Sequence, residues 1–393
     1  MTPFLVAIFL LALSSLTTAA EFKQVFEWDE MDYEWPSEES RARALEDGTF
    51  KPEGILPLYM AVHGTKIFLA LSIRFGIPVS LVSLPTSSAS SENAPPKLTP
   101  FPSWDMNGKN GDCTKIEEAC GLEVDSIGRL WMLDSGSVKC NAKLWTVDLS
   151  NYDRTRLIHR FSFRDNVHDL VLDETPDGTF AYISRQSKPH IVVFSLERNQ
   201  SWTVDTPGIK AFSTALSPKN QEPRQLYLSK YDSDELYSIS VAALRSGTGA
   251  ATAKLIGKWS AKPYRMLMDN HGTIYAAFWG KNYTSSWNSS LPFQEQRFHE
   301  VAKLTAVWPF TFALDSMGTF WMTVFINYTG SKPRCRLLKA AVGAEPNIND
   351  SPTTERSSSS SPTLDPTPET STQIQTRTET VEELTHEHAI ARI

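Results

Sequence analysis

The chain has 393 residues, 41% of them hydrophobic, and a formal net charge of −7. Residues 343–393 hold nine acidic and three basic side chains, so the rest of the chain is close to neutral. A near-neutral body argues against nucleic acid or an anionic membrane as a partner.

The chain begins with a segment that predicts a secretory signal peptide over residues 1–20. Phe4–Leu13 is apolar, and Thr18–Ala20 is a small-x-small cleavage pattern. An uncleaved anchor is the alternative, but the apolar core is shorter than the roughly 20 residues that span a bilayer. No later segment is apolar enough to cross a membrane, so we expect a secreted, extracellular protein.

A short unit recurs along the chain and predicts β-hairpins. Each copy has an apolar strand that ends in Asp, a turn that ends in Gly, and a second, aromatic-rich strand. Asp caps tight turns through its side chain, and Gly accepts a positive φ. The copies are residues 122–133, 170–183, 266–278 and 312–324, with the marker aspartates Asp125, Asp173, Asp269 and Asp315. We interpret these aspartates as turn residues and not as acid/base groups or calcium ligands.

The marker spacing predicts how many units there are. The gaps are 48, 96 and 46 residues, so the double gap predicts a degenerate copy, which fits residues 213–230 with Ser217 in place of Asp. A sixth copy fits residues 60–71, and third strands recur, for example at 143–150 and 235–244. A period of this size with four strands per unit is typical of a propeller. We predict an all-β, six-bladed β-propeller over residues 21–342, with two stacked sandwiches as the alternative.

The four cysteines and the glycosylation sequons fit an exported protein. Cys113, Cys120, Cys140 and Cys335 allow three pairings and have no zinc-site spacing, so we expect two disulfides and no metal. Five Asn-x-Ser/Thr sequons occur, and the one at Asn349 is weakened by a nearby proline. N-glycosylation is predicted at Asn199, Asn282, Asn288 and Asn327.

Residues 343–393 differ in composition from the rest. They are rich in Ser, Thr and Pro and almost free of aromatic residues, which predicts a disordered and O-glycosylated tail. His386 and His388 are interpreted as solvated residues of this tail and not as metal ligands.

Several segments, in the same order, resemble the yellow and major royal jelly protein family. They include VDSIGRLWMLDSG and the segments at residues 44–71, 75–84, 96–107, 111–113, 198–204, 213–229 and 285–293. The resemblance runs from about Phe22 to Val342. It implies a six-bladed propeller, which the repeat count predicts independently.

The chain also departs from the family pattern. The family commonly has Cys at the position of Ile127 and Cys-Trp-Asn where this chain has Ser286–Asn288. These losses imply a rearranged disulfide set, with Cys113 paired to Cys140 and with Cys120 and Cys335 left over. A Cys113–Cys120 pair remains the alternative.

The repeat identifies equivalent positions on the innermost strands, which line the channel of a propeller. Four residues before each marker stand Gly121, Asp169, Ser213, Arg265 and Thr311, and five before stand Cys120, His168, Phe212, Tyr264 and Phe310. One ring is mainly polar and the other mainly aromatic, which suits a small aromatic or amine-like ligand at one mouth. The predicted binding residues are Asp169, Phe212, Ser213, Tyr264, Arg265, Phe310 and Thr311.

Two interpretations of the polar ring are possible from the sequence. Asp169 suits an ammonium group, in which case Asp169→Asn weakens amine binding and changes the melting temperature little. In the alternative, Asp169 and Arg265 neutralise each other and the aromatic side chains only fill the blade interfaces.

The resemblance also implies an enzymatic alternative, because the family includes members associated with dopachrome conversion. Such a tautomerisation needs a proton-transfer group, for which His168 is the candidate. Adjacent residues of a regular strand point to opposite faces, so His168 and Asp169 are not both expected to line the channel. No nucleophile-elbow, metalloprotease or nucleotide-binding motif occurs, and no cofactor is predicted.

Three functions therefore compete. The leading hypothesis is a secreted, glycosylated, non-catalytic propeller that binds a small aromatic or amine-like ligand. The alternatives are a dopachrome-converting tautomerase of pigmentation and a structural or interaction protein that works through its tail. The resemblance also implies amine binding through one branch of the family, the secreted salivary members of blood-feeding flies. The polar Ser-Asn of those members is Val324-Phe325 here, which predicts a more apolar mouth.

Overall fold

The computed structural model describes residues 20–72, 76–87, 95–108, 111–164, 167–247, 249–301, 307–326 and 334–342, with backbone only at 307–310. The chain divides into two units, Met1–Glu345 and Pro346–Ile393. The second unit, with the predicted tail, lies outside the described residues, and so does the predicted signal peptide apart from Ala20.

The described residues form six four-stranded antiparallel sheets, which are the blades. The chain starts with β1 (Lys23–Trp28), helix α1 (Glu38–Glu46) and a 3-10 turn at Pro52–Gly54. Blade 1 is β2 (Pro57–His63), β3 (Lys66–Leu71), β4 (Leu81–Pro85) and β5 (Thr99–Pro100), and blade 2 is β6 (Ala119–Val124), β7 (Arg129–Asp134), β8 (Lys143–Asp148) and β9 (Arg154–Arg160). Blade 3 is β10 (Val167–Thr175), β11 (Gly178–Arg185), β12 (His190–Ser195) and β13 (Gln200–Asp205).

Blade 4 contains a short helix, because the segment predicted as a strand over 235–244 leaves the sheet after Ser240. It is β14 (Ala211–Leu216), β15 (Gln225–Lys230), β16 (Glu235–Ser240), helix α2 (Val241–Ser246) and β17 (Lys254–Lys258). Blade 5 is β18 (Pro263–Met268), β19 (Thr273–Phe278), β20 (Tyr283–Asn288) and β21 (Gln296–Glu300). Blade 6 is β22 (Val307–Leu314), β23 (Thr319–Ile326) and β24 (Arg334–Ala341), together with β1. No helix in the described ranges is long and apolar enough to cross a membrane.

The six blades close into a ring. Each innermost strand contacts the innermost strands of both neighbouring blades, in the order β2, β6, β10, β14, β18, β22 and back to β2. The N-terminal strand β1 pairs with β24 and completes the last blade. Strands from both ends of the described chain therefore close the ring within one sheet. The predicted all-β, six-bladed propeller is confirmed.

Three of the four marker aspartates, Asp125, Asp269 and Asp315, cap the turn between the first and second strand of their blades. Asp315 Oδ1 accepts the backbone N–H groups of Met317 and Thr319 at 2.9 and 2.8 Å. In the degenerate copy, the Ser217 hydroxyl accepts the N–H of Gln225 at 2.9 Å, so a serine performs part of the same task. The interpretation of the markers as turn residues is confirmed for these three aspartates, and it is wrong for Asp173, which lies inside β10 and pairs with Arg224 and Arg245. We call the face of the ring that carries these turns the hairpin face.

Every innermost strand carries a β-bulge near its start. The register with the second strand shifts by one residue between Val167 and Leu170 in blade 3 and between Ala211 and Thr214 in blade 4. The other four innermost strands shift at the equivalent place. A bulge disturbs the alternation of side chains. The expectation for His168 and Asp169 assumed a regular strand, and the bulge between Val167 and Leu170 interrupts the regular alternation at these two residues.

The cores lie between neighbouring blades and are rich in aromatic side chains. Trp131 is fully buried, contacts Phe194 of the next blade, and donates its Nε1–H to the marker Asp125 at 2.8 Å. This hydrogen bond satisfies the indole polar atom, so a large side chain fills the blade interface without an orphaned donor.

One disulfide joins Cys113 to Cys140, and it closes a loop between residues 27 positions apart. Cys120 and Cys335 are buried and reduced. The Cys113–Cys140 pairing is confirmed. The expectation of two disulfides is wrong, because Cys120 lies on an innermost strand in blade 2 and Cys335 on a strand of blade 6.

Candidate functional site

A buried polar cluster lies inside the channel, and we call it the waist cluster. It centres on Asp169, Ser213 and Arg265. Asp169 is fully buried, and its Oδ2 accepts the Ser213 hydroxyl and the Thr214 N–H, each at 2.8 Å. Its Oδ1 accepts the N–H of Leu170 at 3.1 Å and forms an ion pair with Arg265 Nη1. Four donors therefore converge on this carboxylate. The alternative in which Asp169 and Arg265 neutralise each other is the arrangement found.

Ser213 links three blades through the same cluster. Its hydroxyl donates to Asp169 of blade 3 and accepts the N–H of Met266 of blade 5 at 2.8 Å. Its own N–H donates to the Ser229 hydroxyl at 2.9 Å. Both the donor and the acceptor capacity of Ser213 are thus used within the protein.

Arg265 extends across the channel from blade 5. Its guanidinium lies 5.3 Å from the ring centroid of Tyr59 of blade 1, while its Nη1 pairs with Asp169 of blade 3. The side chain is only 4% exposed. Its charge is balanced by one carboxylate and one aromatic face, as a buried guanidinium requires.

A cluster of aromatic rings lies at one end of the channel, and we call it the aromatic mouth. It comprises His168, Phe212, Tyr231, Tyr264 and Trp279. The ring centroids of His168 and Phe212 are 3.6 Å apart, and those of Tyr264 and Trp279 are 4.5 Å apart. Tyr231 is 48% and Trp279 is 44% exposed, so the mouth presents aromatic surface to solvent.

His168 is partly buried between rings from three other blades. Besides Phe212, it has edge contacts with Tyr59 and Tyr264. Desolvation lowers the pKa of His168 to about 4, against a weaker opposing effect of the Asp169 charge. The imidazole is therefore neutral near pH 7, and its Nδ1 has no hydrogen-bond partner among the described residues.

A cavity of about 570 Å³ opens on the hairpin face. It is lined by the end of β14, by β18 from Arg265 onward, and by residues of β6 and β10. Glu123 of β6 lines the wall and is partly buried. Desolvation raises the pKa of Glu123 to about 7, opposed by Arg265 and assisted by the Asp169 charge.

The two predicted rings are only partly reproduced as a site. Asp169, Ser213 and Arg265 meet at the waist, and Phe212 and Tyr264 meet at the aromatic mouth. Thr311 is fully buried, and its Oγ1 has no partner in the described part of the chain. The side chain of Phe310 lies outside the described residues.

Sequence reasoning missed Glu123, Tyr231 and Trp279. Glu123 lies two residues before its marker, where the other units have Val171, Ala215, Leu267 and Ala313, so its charge stands out in the repeat comparison. Tyr231 and Trp279 directly follow second strands, a position that the comparison of innermost strands did not cover.

The sequons occupy different environments. Asn199 is exposed in a turn with φ of 47°, and Asn288 accepts hydrogen bonds from Ser290 through its Oδ1. Asn282 donates its amide to the carbonyl of Val301 at 3.3 Å. Asn327 and Asn349 lie outside the described residues. Glycosylation at the four predicted positions stays a prediction.

Two curated relatives of the chain are proteins of Drosophila melanogaster. The chain is 29% identical over 210 residues to "Dopaminechrome tautomerase" of Drosophila melanogaster, which covers 48% of this chain and 44% of the relative. It is 24% identical over 353 residues to "Protein yellow" of Drosophila melanogaster, covering 77% of this chain and 64% of the relative. The chain thus spans about half to two thirds of the length of these relatives.

Solved structures that superpose on the chain include a nidogen/laminin complex and a virginiamycin B lyase of Staphylococcus aureus. The TM-scores are 0.45 and 0.47, at 12% and 11% identity. The matches cover 62% and 80% of this chain, and 84% and 88% of the respective structures.

The family comparison covers blades 2 to 5 and part of blade 6. The model of the family described as "Major royal jelly protein" matches residues 118–211 and 206–322, which together are more than half of the chain. These residues include the waist cluster, all five residues of the aromatic mouth and Glu123. The chain belongs to the major royal jelly protein family, as its propeller, its repeat and its relatives named yellow all indicate.

Proposed function

We propose that the protein is a secreted, glycosylated binder of a small aromatic amine, and that the aromatic mouth is the binding site. The observation that carries this proposal is the pair of half-exposed rings, Tyr231 and Trp279, which make tilted contacts with the buried ring of Phe212. Exposed aromatic surface on a preformed layer suits a flat ligand with a positive charge, through ring stacking and cation–π attraction.

The waist cluster supports this site from inside the channel. Asp169 already receives four donors, so the ligand ammonium is recognised by aromatic faces and not by a free carboxylate. The buried ion pair contributes rigidity, because each partner would leave an unpaired charge if it moved. Phe212 and Tyr264 then hold Tyr231 and Trp279 in place.

Calorimetric titration with dopamine, serotonin and tyramine tests the proposal. We expect at least one of these amines to bind with a dissociation constant below about 1 mM. Trp279→Leu and Tyr231→Leu should each weaken binding about tenfold, since an aromatic or cation–π contact contributes roughly 1–1.5 kcal/mol.

Tyr152→Leu is the matched control. Tyr152 is a fully exposed aromatic side chain in the turn that follows β8, away from the channel. Its replacement should leave amine binding unchanged. If no amine binds, or if Tyr152→Leu weakens binding as much as Trp279→Leu, the aromatic mouth is not an amine site.

A second candidate function is dopachrome-type tautomerisation with His168 as the base. Two observations favour it: His168 is a neutral imidazole at the mouth with an unpartnered Nδ1, and one relative is named "Dopaminechrome tautomerase". A neutral imidazole accepts a proton from a ligand carbon acid, and the low pKa makes it a weak base that releases the proton readily.

The decay of dopachrome and of dopaminechrome with purified protein tests this candidate. An enzyme should accelerate one of them above the buffer rate, and His168→Gln should lose most of that acceleration. Equal decay in protein and buffer between about pH 5 and about pH 7.5, a range chosen above the lowered His168 pKa, would exclude the catalytic role.

A further inference from the structure

The outermost strand of blade 2 is strongly basic. β9 contains Arg154, Arg156 and Arg160, and Arg164 follows it in the next loop. All four residues are exposed, and no acidic residue occurs between residues 154 and 164. We call these four residues the arginine stripe. The chain before residue 343 is close to neutral as a whole, so the stripe is a local concentration of charge.

The outermost strands of the other blades are less basic. β5 and β13 contain no Lys or Arg, β1 and β21 contain one each, and β17 contains two lysines. One of these lysines, Lys258, pairs with Glu235 at 3.7 Å, and Arg297 of β21 covers the ring of Tyr283. The same structural position therefore does not require arginines, which indicates that the stripe has a role other than building the blade.

The arginines of the stripe have no ion-pair partner in the ranges that the structure describes. Asp148 lies opposite Arg154 in the strand register, but its Oδ1 accepts hydrogen bonds from Ser150. Asp153, which precedes Arg154, pairs with Lys66 at 3.4 Å. The guanidinium charges are thus available to a ligand.

Two of the four arginines are held in place by backbone carbonyls. Arg160 Nη1 donates to the carbonyl of Cys113 at 3.0 Å, and Arg164 Nη1 donates to that of Val138. Both carbonyls belong to the segment that the Cys113–Cys140 disulfide closes. A guanidinium has five N–H donors, so each side chain keeps donors for an anion. Side chains that are already held in place lose less entropy on binding.

The arginines project from both sides of a strand edge. The register with β8 places Arg154 and Arg156 on one side of β9 and, after a bulge, Arg160 on the other. The strand has 7 residues, so it is about 20 Å long. A linear polyanion can follow this edge and contact both of its sides, whereas a planar bilayer surface reaches only one.

The aromatic residues near the stripe do not favour a nucleic acid. Single-stranded nucleic acids stack their bases on a series of exposed rings. Phe161 is buried, and the ring of Phe163 is covered by the guanidinium of Arg185 at 3.9 Å. Tyr152, before β9, is exposed but offers a single ring. The surface therefore suits a polyanion that is recognised through its charged groups, which guanidinium groups bind through paired N–H donors.

We propose that the arginine stripe binds a linear sulfated polysaccharide, with sulfate groups on the guanidinium groups of Arg154, Arg156, Arg160 and Arg164. The secretion proposed above brings the stripe into contact with extracellular polysaccharides. The stripe shares no residue with the aromatic mouth, which blades 3 to 5 build. Binding to a polysaccharide therefore anchors the protein to a matrix and leaves that mouth open.

Calorimetric titration of the full chain with a heparin octasaccharide tests the proposal. We expect saturable binding that weakens at least about tenfold between about 50 mM and about 200 mM NaCl, because salt competes with each charge contact. The same octasaccharide without its sulfate groups keeps its carboxylates. It should bind at least about tenfold more weakly, because it has lost most of its charge.

Paired variants separate the stripe from general attraction to basic residues. Arg154→Ser/Arg156→Ser should bind the octasaccharide about three- to thirtyfold more weakly, since two exposed charge contacts are lost. The variant should fold, because both residues are exposed and neither side chain has a partner in the described part of the chain. Lys254→Ser/Lys258→Ser removes the same charge from the outermost strand β17, and it should change the affinity less than about twofold.

Several outcomes would overturn the proposal. They are the absence of saturable binding, equal affinity for the octasaccharide without sulfate groups, and equal losses in the two double variants. Tighter binding of a single-stranded oligonucleotide of the same charge would identify a nucleic-acid site and would also overturn it. Amine binding at the aromatic mouth is measured with other ligands and other variants, so the two proposals fail independently.

Discussion

At the scale of residues, the ion pair between Asp169 and Arg265 determines how the channel is divided. Both side chains are almost fully buried and come from positions 96 residues apart in the chain. Burying two charges is favourable only when they are paired and their remaining polar atoms are largely satisfied. The pair therefore acts as a fixed partition between the two ends of the channel.

This geometry changes the expectation for Asp169→Asn. The substitution leaves the buried Arg265 without its counter-charge, so we expect it to lower the free energy of unfolding by about 3–5 kcal/mol. Urea denaturation of both proteins measures this cost. Glu27→Gln, which breaks a partly exposed pair with Arg336, is the control and should cost less than about 1 kcal/mol. Equal costs would show that the Asp169–Arg265 pair has no special role.

The repeat comparison predicted which residues stand at the waist but not how they interact. It placed Asp169, Ser213 and Arg265 in one ring, since their distances to the markers are equal. It did not establish that Arg265 reaches Asp169 instead of a ligand, because that contact depends on the channel diameter and on the side-chain conformation. The raised pKa of Glu123 could not be predicted from the sequence either, since it results from desolvation in the folded protein.

At the scale of elements, the β-bulge of each innermost strand is the feature that the sequence did not reveal. The alternation of apolar residues predicted regular strands, and no Gly or Pro pattern common to all six marks the extra residue. The bulge places His168 at the mouth and Asp169 at the waist, although they are adjacent in sequence. The hairpin turns were predictable, because Asp and Gly act locally and need no partner from another blade.

The disulfide allows a prediction for the element that it closes. Cys113 and Cys140 bracket the first two strands of blade 2, with 27 residues of separation. Replacing both by Ser should lower the free energy of unfolding by about 3–4 kcal/mol, the chain-entropy estimate for a loop of this length. The wild type with reductant should melt at the same temperature as the double variant, and the wild type without reductant at a higher temperature. A melting temperature that is unchanged by both treatments would contradict the estimate.

At the scale of the whole molecule, two partly buried groups, His168 and Glu123, give opposite pH dependences of stability. The pKa of His168 falls from 6.5 to about 4 on folding. The unfolded chain therefore binds the proton more tightly, and the free energy of unfolding decreases as the pH drops below 6.5. The pKa of Glu123 rises from 4.5 to about 7 on folding. The folded protein therefore binds the proton more tightly, and the free energy of unfolding decreases as the pH rises from 4.5 to about 7. The two effects oppose each other between about pH 4.5 and about pH 6.5.

Difference curves between variants should separate these effects. The stability of the wild type relative to Glu123→Gln should increase as the pH falls from 7 to 4.5, because only the wild type takes up the extra proton on folding. The stability relative to His168→Phe should decrease as the pH falls from 6.5 to 4. Denaturant titrations at several pH values measure both slopes. Flat difference curves would mean that neither group is desolvated as described.

The central claim is that the aromatic mouth binds a small aromatic amine. A crystal structure of the protein grown with serotonin at saturating concentration tests it most directly. The account predicts indole density in van der Waals contact with Trp279 or Tyr231 and above Phe212, with the Asp169–Arg265 pair intact beneath. An empty mouth, or serotonin found only in the hairpin-face cavity, would contradict it.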